Sequence, residues 1–216
     1  MCGASPPAAV PEATPLDAEA FRRESNVSRE TLARLKIYGE LLRRWQNAIN
    51  LIGPATLADI WRRHFLDSWQ LLPLAPPGAR RWADLGSGAG FPGLVLAILG
   101  VPDMHLVESD GRKCAFLAEV ARETRTNVQI HRARIETLAP LEADIITARA
   151  LAPLERLLGW SHRHAAPGAT CLFLKGREVE RELTLAAESW TLQFRRHPSR
   201  SDPAGIVLEV KGFHRV

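Results

Sequence analysis

A run of small residues, Asp84-Leu-Gly-Ser-Gly-Ala-Gly90, separates two apolar segments and constrains the fold more than any other feature of the chain. Residues 80–85 before it have the pattern of a strand, and residues 92–100 after it have the pattern of a helix. Glycine lacks a Cβ, so a glycine-rich loop can adopt positive φ angles and approach a ligand closely. Such a loop is typical of open α/β sheets that bind nucleosides, and a plain tight turn is the alternative interpretation.

After this loop the chain alternates between strand-like and helix-like segments, which favours a mostly parallel sheet covered on both faces. The predicted strands are 80–85, 104–108, 128–132, 143–148, 169–175, 191–196 and 206–213, and the predicted helices are 92–100, 111–124, 153–165 and 178–188. The last two strands are too close for an intervening helix, so we expect an antiparallel hairpin. The predicted fold class is α/β: a Rossmann-like class I methyltransferase fold with a seven-stranded, mostly parallel sheet, a C-terminal antiparallel hairpin and an N-terminal helical extension.

The residues before the glycine loop predict that helical extension. Apolar residues recur at steps of three and four from Ser28 to Asn50, as on one face of an amphipathic helix. A second helix is predicted from Thr56, its N-cap, to Leu72. The first residues are rich in Ala and Pro and predict a disordered tail. The predicted organisation is a tail over 1–15, the extension over 16–78 and a methyltransferase domain over 79–216.

The composition excludes several classes of protein. Hydrophobic residues make up 46% of the 216 residues and charged residues 24%, as in a soluble globular protein. The uncharged stretch from Leu85 to Pro102 is interrupted by glycine and proline, and its apolar part is too short to span a bilayer. Cys2, Cys114 and Cys171 form neither a zinc motif nor a disulfide framework, and Cys171 is expected in the core. We therefore expect a cytoplasmic protein without a metal site or a membrane segment.

The glycine loop and the strands after it indicate the kind of cofactor. A dinucleotide-binding loop of the pattern G-x-G-x-x-G would need glycine where this chain has Phe91. Asp84 would add negative charge near a cationic methionyl group, and Glu108 can accept hydrogen bonds from both hydroxyls of a ribose, unless it is simply solvated. Ile135 and a backbone N–H near Glu136 follow the third strand, where an adenine ring would lie. These residues predict S-adenosyl-L-methionine as cofactor, with S-adenosyl-L-homocysteine as product.

The end of the fourth strand, Thr147-Ala148-Arg149-Ala150, bears on the methyl acceptor. It lacks the Asn/Asp-Pro-Pro-aromatic motif of enzymes that methylate exocyclic amines, and the chain has no Pro-Cys pair for a cysteine nucleophile. A purine ring nitrogen such as guanine N7 carries its own lone pair and needs neither a covalent step nor a base. Catalysis would then rest on proximity and alignment, without a catalytic residue in the strict sense. Arg149 could hold the acceptor base or a phosphate, clamp the cofactor loop, or form a plain salt bridge.

Several segments, in order along the chain, resemble one family: the bacterial glucose-inhibited division protein B family, described as the small-subunit rRNA guanine-N7 methyltransferase G. The most specific are Arg63-His64-Phe65-Leu66-Asp67-Ser68 and the Gly-Phe-Pro-Gly ending of the glycine loop at residues 90–93. The others are Asn50-Leu51-Ile52, Val107-Glu108-Ser109, Lys113, Phe116-Leu117, Arg134-Ile135-Glu136, Ala148-Arg149-Ala150 and Leu174-Lys175-Gly176. Together they cover most of the chain.

This resemblance implies an enzyme that methylates N7 of the guanine at position 527 of 16S rRNA, in the decoding-site loop of the small ribosomal subunit. The implied cofactor contacts are Gly86, Phe91, Glu108, Ile135, Glu136 and Arg149. His64 and Asp67 lie one helical turn apart and would close over the cofactor pocket, or would serve helix packing alone. The implied partner is 16S rRNA within the 30S subunit or its precursor, and we expect the protein to be a monomer.

Two other functions are compatible with the same sequence. A small-molecule methyltransferase with a helical lid would share the cofactor residues, and a nucleotide-binding protein without transferase activity would share the glycine loop. Lys and Arg number 28 against 24 acidic residues, and this small positive excess favours an RNA partner only weakly. Most of the basic residues are arginine, which suits phosphate contacts, but a preference for arginine over lysine also fits a GC-rich genome. The arginines expected on an RNA surface, each of which also fits a solvated surface, are Arg43, Arg44, Arg62, Arg63, Arg195, Arg196 and Arg200.

Overall fold

The computed structural model describes residues 15–216, which are organised around a seven-stranded sheet. The strands are β1 (Arg81–Leu85), β2 (Asp103–Glu108), β3 (Gln129–Arg132), β4 (Ala143–Arg149), β5 (Ala165–Lys175), β6 (Trp190–Pro198) and β7 (Ile206–Arg215). Their order across the sheet is β3-β2-β1-β4-β5-β7-β6. The first five strands are parallel, and β7 pairs antiparallel with both β5 and β6. The predicted fold class and its C-terminal hairpin are confirmed.

Helices cover both faces of the sheet, because successive side chains along each strand point into two different apolar cores. On β1, Trp82 points into one core and Ala83 into the other. The first core contains residues of α4 (Gly93–Ile98) and α5 (Gly111–Glu123), and the second contains residues of α6 (Leu154–His164) and α7 (Val179–Ala186). Buried Cys171 belongs to the second core, as expected.

The extension consists of α1 (Ala18–Ser25), α2 (Arg29–Gln46) and a π-helical segment (Trp61–Leu66) that continues as α3 (Asp67–Trp69). The predicted helix from residue 28 corresponds to α2, whose N-cap Ser28 accepts a hydrogen bond from the Thr31 amide at 3.0 Å. The sequence analysis did not identify α1, which Asp17 caps. The predicted tail lies outside the described residues, apart from residue 15.

The structure corrects the predicted start of the second helix. Thr56 is not an N-cap: it ends a 3-10 turn, Pro54–Thr56, and the π-helical segment begins only at Trp61. Its hydroxyl donates to the Gly53 carbonyl at 2.8 Å and lies 2.7 Å from Nε2 of His64. Because Pro54 favours a turn at this point, the Thr56 hydroxyl is used within that turn and at His64 rather than at the helix terminus.

The extension shares a core with the sheet. Phe21, Leu35, Tyr38 and Phe65 have no exposed surface and belong to the same apolar cluster as Phe116 of α5. Burial of each such side chain contributes about 1.5–3 kcal/mol. The predicted domain boundary at residues 78–79 remains a prediction, but the extension is firmly packed. No helix in the described part of the chain is long and apolar enough to cross a membrane.

Candidate functional site

A cavity of about 970 Å³ lies at the carboxyl ends of the parallel strands. It is lined by the residues that end or directly follow four strands: Gly86 after β1, Glu108 of β2, Arg149 of β4 and Lys175 of β5. The strand order reverses between β1 and β4, and open α/β sheets bind ligands at such a point. The residues proposed from the sequence as cofactor contacts all line this one cavity: Gly86, Phe91, Glu108, Ile135, Glu136 and Arg149.

The glycine loop follows β1 in a conformation that other residues adopt with strain. Gly86, Gly88 and Gly90 have φ angles of 66°, 56° and 91°. A Cβ at Gly86 would collide with the Leu151 side chain. The backbone of this loop therefore forms the cavity wall itself, as a close approach to a ligand requires.

Glu108 holds the glycine loop in place. Its Oε2 accepts a hydrogen bond from the Gly88 amide at 2.9 Å, and its Oε1 accepts one from the Asp110 amide at 2.8 Å. Each carboxylate oxygen retains a further lone pair, so both can still accept a ribose hydroxyl. The sequence suggested the ribose role alone and missed the support of the loop. Asp110 caps α5 by accepting from the Arg112 amide at 2.8 Å.

The structure corrects the position of Asp84. Its carboxylate does not line the cavity; it is 1% exposed and lies beneath the loop. Thr147 donates to its Oδ1 at 2.8 Å, and the Gly93 amide donates to its Oδ2 at 3.2 Å. Burial raises the pKa of Asp84 to about 6, against the opposing effect of these hydrogen bonds. Asp84 therefore joins β1, β4 and the start of α4, and its side chain lies outside the lining of the cavity.

The segment after β3 forms the next part of the wall. Ile135 starts a 3-10 turn, Ile135–Thr137, and is 7% exposed. The Ile135 carbonyl lies 3.0 Å from Nε2 of the fully buried His164, and burial lowers the pKa of that histidine. A neutral imidazole can donate through Nε2 to this carbonyl, so α6 supports the turn from behind. His164 is a supporting residue that the sequence did not indicate.

Arg149 connects the sheet to the extension across the cavity. Its guanidinium donates to the Arg63 carbonyl at 3.1 Å and to Oδ2 of Asp67 at 3.3 Å, and it lies 2.8 Å from Nδ1 of His64. Desolvation, together with the charge of Arg149, lowers the pKa of His64 to about 3, so its imidazole is neutral near pH 7. His64 and Asp67 line the cavity, and both contact Arg149 from the extension.

Phe91 takes part in an aromatic wall. Its ring stacks on Tyr38 with centroids 5.1 Å apart, and the Arg149 guanidinium carbon lies 5.2 Å from its centre. The Tyr38 hydroxyl donates to the Ala89 carbonyl within the glycine loop. A residue of the extension thus touches the loop directly, a contact between residues far apart in sequence that no local pattern could have shown.

The loop between β6 and β7 also lines the cavity. Asp202 accepts from Arg63 at 2.8 Å, Ser201 donates to Asp67 at 2.5 Å, and the Arg200 amide donates to Gln70 at 2.8 Å. The sequence analysis assigned no role to this loop apart from Arg200. The only sequence feature that could have indicated a role for this loop is the pair Ser199 and Ser201 beside Asp202, and such clusters are common in loops.

Several arginines proposed for an RNA surface are engaged with acidic residues. Arg62 lies 3.3 Å from Asp59, Arg196 lies 2.8 Å from Glu180, and Arg200 lies 3.1 Å from Glu24 and over the Trp69 ring. Their side chains remain partly exposed, and exposed ion pairs exchange readily. Arg43, Arg44 and Arg195 are exposed.

The cavity fits S-adenosyl-L-methionine in size and chemistry. Its volume is at the upper end of the range for sites of drug-sized ligands, about 300–1,000 Å³, so a nucleoside cofactor would leave room for an acceptor base. Carboxylate oxygens, a glycine-rich backbone and an apolar isoleucine match a ribose, a methionyl chain and an adenine ring. Within residues 15–216 no three His, Cys, Asp or Glu side chains are arranged to hold a metal ion.

Comparison with known proteins identifies the family. The family model described as rRNA small subunit methyltransferase G (GidB) matches residues 31–200. A protein from Paramagnetospirillum magneticum, named ribosomal RNA small subunit methyltransferase G, is 60% identical over 197 residues, which are 91% of this chain and 96% of that protein. A protein of the same name from Rhodospirillum rubrum is 54% identical over 197 residues, 91% of this chain and 98% of that protein.

Solved structures of much lower identity share the fold. A TehB-like SAM-dependent methyltransferase from Corynebacterium glutamicum has a TM-score of 0.55 at 17% identity, over 82% of this chain and 97% of that one. TYW2 from M. jannaschii, solved in complex with AdoMet, has a TM-score of 0.53 at 14% identity, over 70% and 77%. The resemblance seen in the sequence is thus confirmed, and the chain belongs to the family of rRNA small subunit methyltransferase G.

Proposed function

We propose that this chain transfers the methyl group of S-adenosyl-L-methionine to N7 of a guanine in small-subunit rRNA, at position 527 of 16S rRNA. The observation that carries the proposal is the single cavity in which the glycine loop, Glu108, Ile135 and Arg149 converge. Membership in the rRNA methyltransferase family supports an RNA substrate, and the guanine is the acceptor implied by the sequence resemblance.

The cofactor half of the cavity lies over β1, β2 and β3. Glu108 is positioned to accept the ribose hydroxyls, and the apolar face of Ile135 to contact the adenine. The positive φ angles of the glycine loop bring its backbone close to the methionyl chain. These contacts hold the methyl donor at the edge of the cavity shared with β4.

The methyl transfer requires neither a general base nor a nucleophile from the protein. The cofactor supplies a methyl group on a positively charged sulfur, and guanine N7 offers a lone pair without a proton to remove. His64, whose pKa is lowered to about 3, is therefore not required as a general base, and its neutral ring orients Arg149. The protein accelerates the reaction by fixing the distance and direction between the two reactants and by excluding water.

The RNA is expected to reach the cavity past cationic side chains. Arg63 lines the cavity, and Arg200 lies between Ser199 and Ser201, which also line it. Contacts of arginine with phosphate release counterions, so binding must weaken as salt rises. We expect a cytoplasmic monomer that acts on 16S rRNA within the 30S subunit or its precursor.

A methyl-transfer assay with three substrates tests the proposal: small-subunit particles, deproteinised 16S rRNA and a metabolite extract. N7-methylguanine is located in the RNA by borohydride reduction and aniline cleavage. Methylation confined to the metabolites would instead support a small-molecule enzyme with a helical lid. Tighter binding of NAD than of S-adenosyl-L-homocysteine would support a nucleotide-binding protein of another kind.

Replacement of Arg200 by alanine tests the RNA path. We expect weaker binding of rRNA with a shallower dependence on salt, whereas Arg122→Ala should bind as the wild type does. Arg122 is the matched control because it is exposed and paired with acids on α5, outside the cavity. Equal effects of the two substitutions would contradict the proposed path.

A further inference from the structure

The cavity extends beyond the cofactor half, over the ends of β4 and β5. Because β4 and β5 lie on the opposite side of β1 from β2 and β3, this half is left for the acceptor. Besides Arg149 at the end of β4, the charged residues Lys175, the last residue of β5, and Glu182 on α7 line the cavity here.

Lys175 is almost completely enclosed. Its side chain is 8% exposed, and its ammonium donates to the Ala152 carbonyl at 3.0 Å and to Oε2 of Glu182 at 2.6 Å. The same Glu182 oxygen accepts from the Leu154 amide at the start of α6 at 2.7 Å. A buried lysine held from two sides has little freedom, so its position is determined before a substrate binds.

An ammonium has three N–H donors and no acceptor. In the described part of the chain two donors of Lys175 have partners, which leaves one for a ligand in the cavity. Such a donor selects an oxygen or a ring nitrogen with a lone pair. It disfavours an amino group, because two donors would then face each other.

We propose that Lys175 donates its third N–H to the carbonyl oxygen O6 of the acceptor guanine and thereby distinguishes guanine from adenine. This inference rests on the proposed function, since it takes guanine N7 as the methyl acceptor. O6 adjoins N7 on the same edge of the base, and adenine has an amino group in its place. Binding at O6 alone leaves the N7 lone pair free for the methyl group.

Glu182 makes this arrangement compatible with the reaction. Methylation gives the guanine ring a positive charge, and an isolated ammonium beside it would oppose that charge. The carboxylate of Glu182, 2.6 Å from the ammonium, compensates for it. The pair therefore presents a hydrogen-bond donor with little net charge to the base.

A double-mutant cycle between protein and base tests the contact. Lys175→Met keeps the apolar stem and removes the donor. Small-subunit particles are reconstituted with either guanine or 2-aminopurine at the target position, because 2-aminopurine keeps N7 but lacks O6. For the wild type, we expect the change to 2-aminopurine to lower the methylation rate about 10- to 150-fold, as for loss of a hydrogen bond to a charged group.

For Lys175→Met we expect the methylation rate with guanine to be as low as that of the wild type with 2-aminopurine. Changing the base to 2-aminopurine should then cause little further loss. Lys113→Met is the matched control: Lys113 lines the cavity on the α5 side and should suffer the same 2-aminopurine penalty as the wild type. Inosine, which keeps O6, should show no difference in penalty between Lys175→Met and the wild type.

Two further measurements keep the test decisive if Lys175→Met is unstable. The double variant Lys175→Met/Glu182→Gln removes the unpaired, partly buried charge of Glu182 and should show the same insensitivity to 2-aminopurine. Binding of S-adenosyl-L-homocysteine should stay within about twofold of the wild type in both variants. Independent, multiplying losses from the variant and from 2-aminopurine would overturn the role of Lys175. Failure of the wild type to methylate N7 in unmodified particles would overturn the proposed function instead.

Discussion

Tyr38 is the single tyrosine of the chain, and its replacement by phenylalanine tests whether the extension positions the glycine loop. The hydroxyl donates to the Ala89 carbonyl inside the loop, and the residue has no exposed surface. Phenylalanine keeps the ring, so the stacking on Phe91 and the edge contact with Phe65 are preserved. The substitution therefore removes one hydrogen bond and little else.

The expected loss of stability follows from the Ala89 carbonyl, which the substitution leaves without its donor. The Ala89 carbonyl would lose its donor in a site that water does not readily reach, and such a loss costs about 1–3 kcal/mol. For a protein of this size, that corresponds to a fall in melting temperature of about 2–12 °C. Because the carbonyl belongs to the loop that lines the cavity, we also expect binding of S-adenosyl-L-homocysteine to weaken about 5- to 30-fold.

Urea unfolding and calorimetry with S-adenosyl-L-homocysteine measure the two effects. Ile37→Ala is the control, because Ile37 is the neighbouring residue on α2 and is 37% exposed. We expect its free energy of unfolding to stay within about 0.5 kcal/mol of the wild type. If Tyr38→Phe binds the ligand as tightly as the wild type does, the hydroxyl does not position the loop, and the coupling between the extension and the loop is refuted.

Gly90→Ala should destabilise the protein by about 1–3 kcal/mol more than Gly78→Ala in urea unfolding. Both glycines have positive φ angles (91° and 85°), but a Cβ at Gly90 would lie 2.6 Å from the Tyr38 hydroxyl, and one at Gly78 would meet nothing within 4 Å; equal losses would contradict this. Burial raises the pKa of Asp84 from 3.8 to about 6, so the folded state binds more protons than the unfolded state, and the wild type should lose stability as pH rises from about 4 to above 6. Asp84→Asn should flatten that dependence by on the order of 2–3 kcal/mol, and parallel pH profiles of the two proteins would disprove the assignment. Arg149→Gln should lower stability by about 1–3 kcal/mol and weaken cofactor binding in calorimetry, since it removes the charge that joins the sheet to the extension; an unchanged affinity would limit Arg149 to packing.

Much of the fold could be predicted from the sequence because the patterns concerned are local. The alternation of apolar segments after residue 79 indicated the order of strands and helices, and the short gap before residue 206 indicated the hairpin. Helix α1 was missed because its eight residues are too few for a clear period. Thr56 was misassigned because a cap and a turn use the same residue types.

The candidate site was predictable to the same extent. Residues that end parallel strands meet at one edge of the sheet. Gly86, Glu108 and Arg149 therefore lie close together whichever way their side chains point. The direction of each side chain was not predictable. Asp84 turns below the loop because Thr147 and the Gly93 amide bind it there.

The sequence by itself determined the class of the protein: a glycine loop between strand and helix, an acid at the end of the next strand, and segments that identify the family. Only the tertiary structure decided what those residues contact. Arg149 meets Asp67 across 82 residues of chain, and Asp67 meets Ser201 across 134. Such contacts form because the apolar faces of the extension and the sheet share one core, and the polar side chains at its border then find partners that the order of residues does not show.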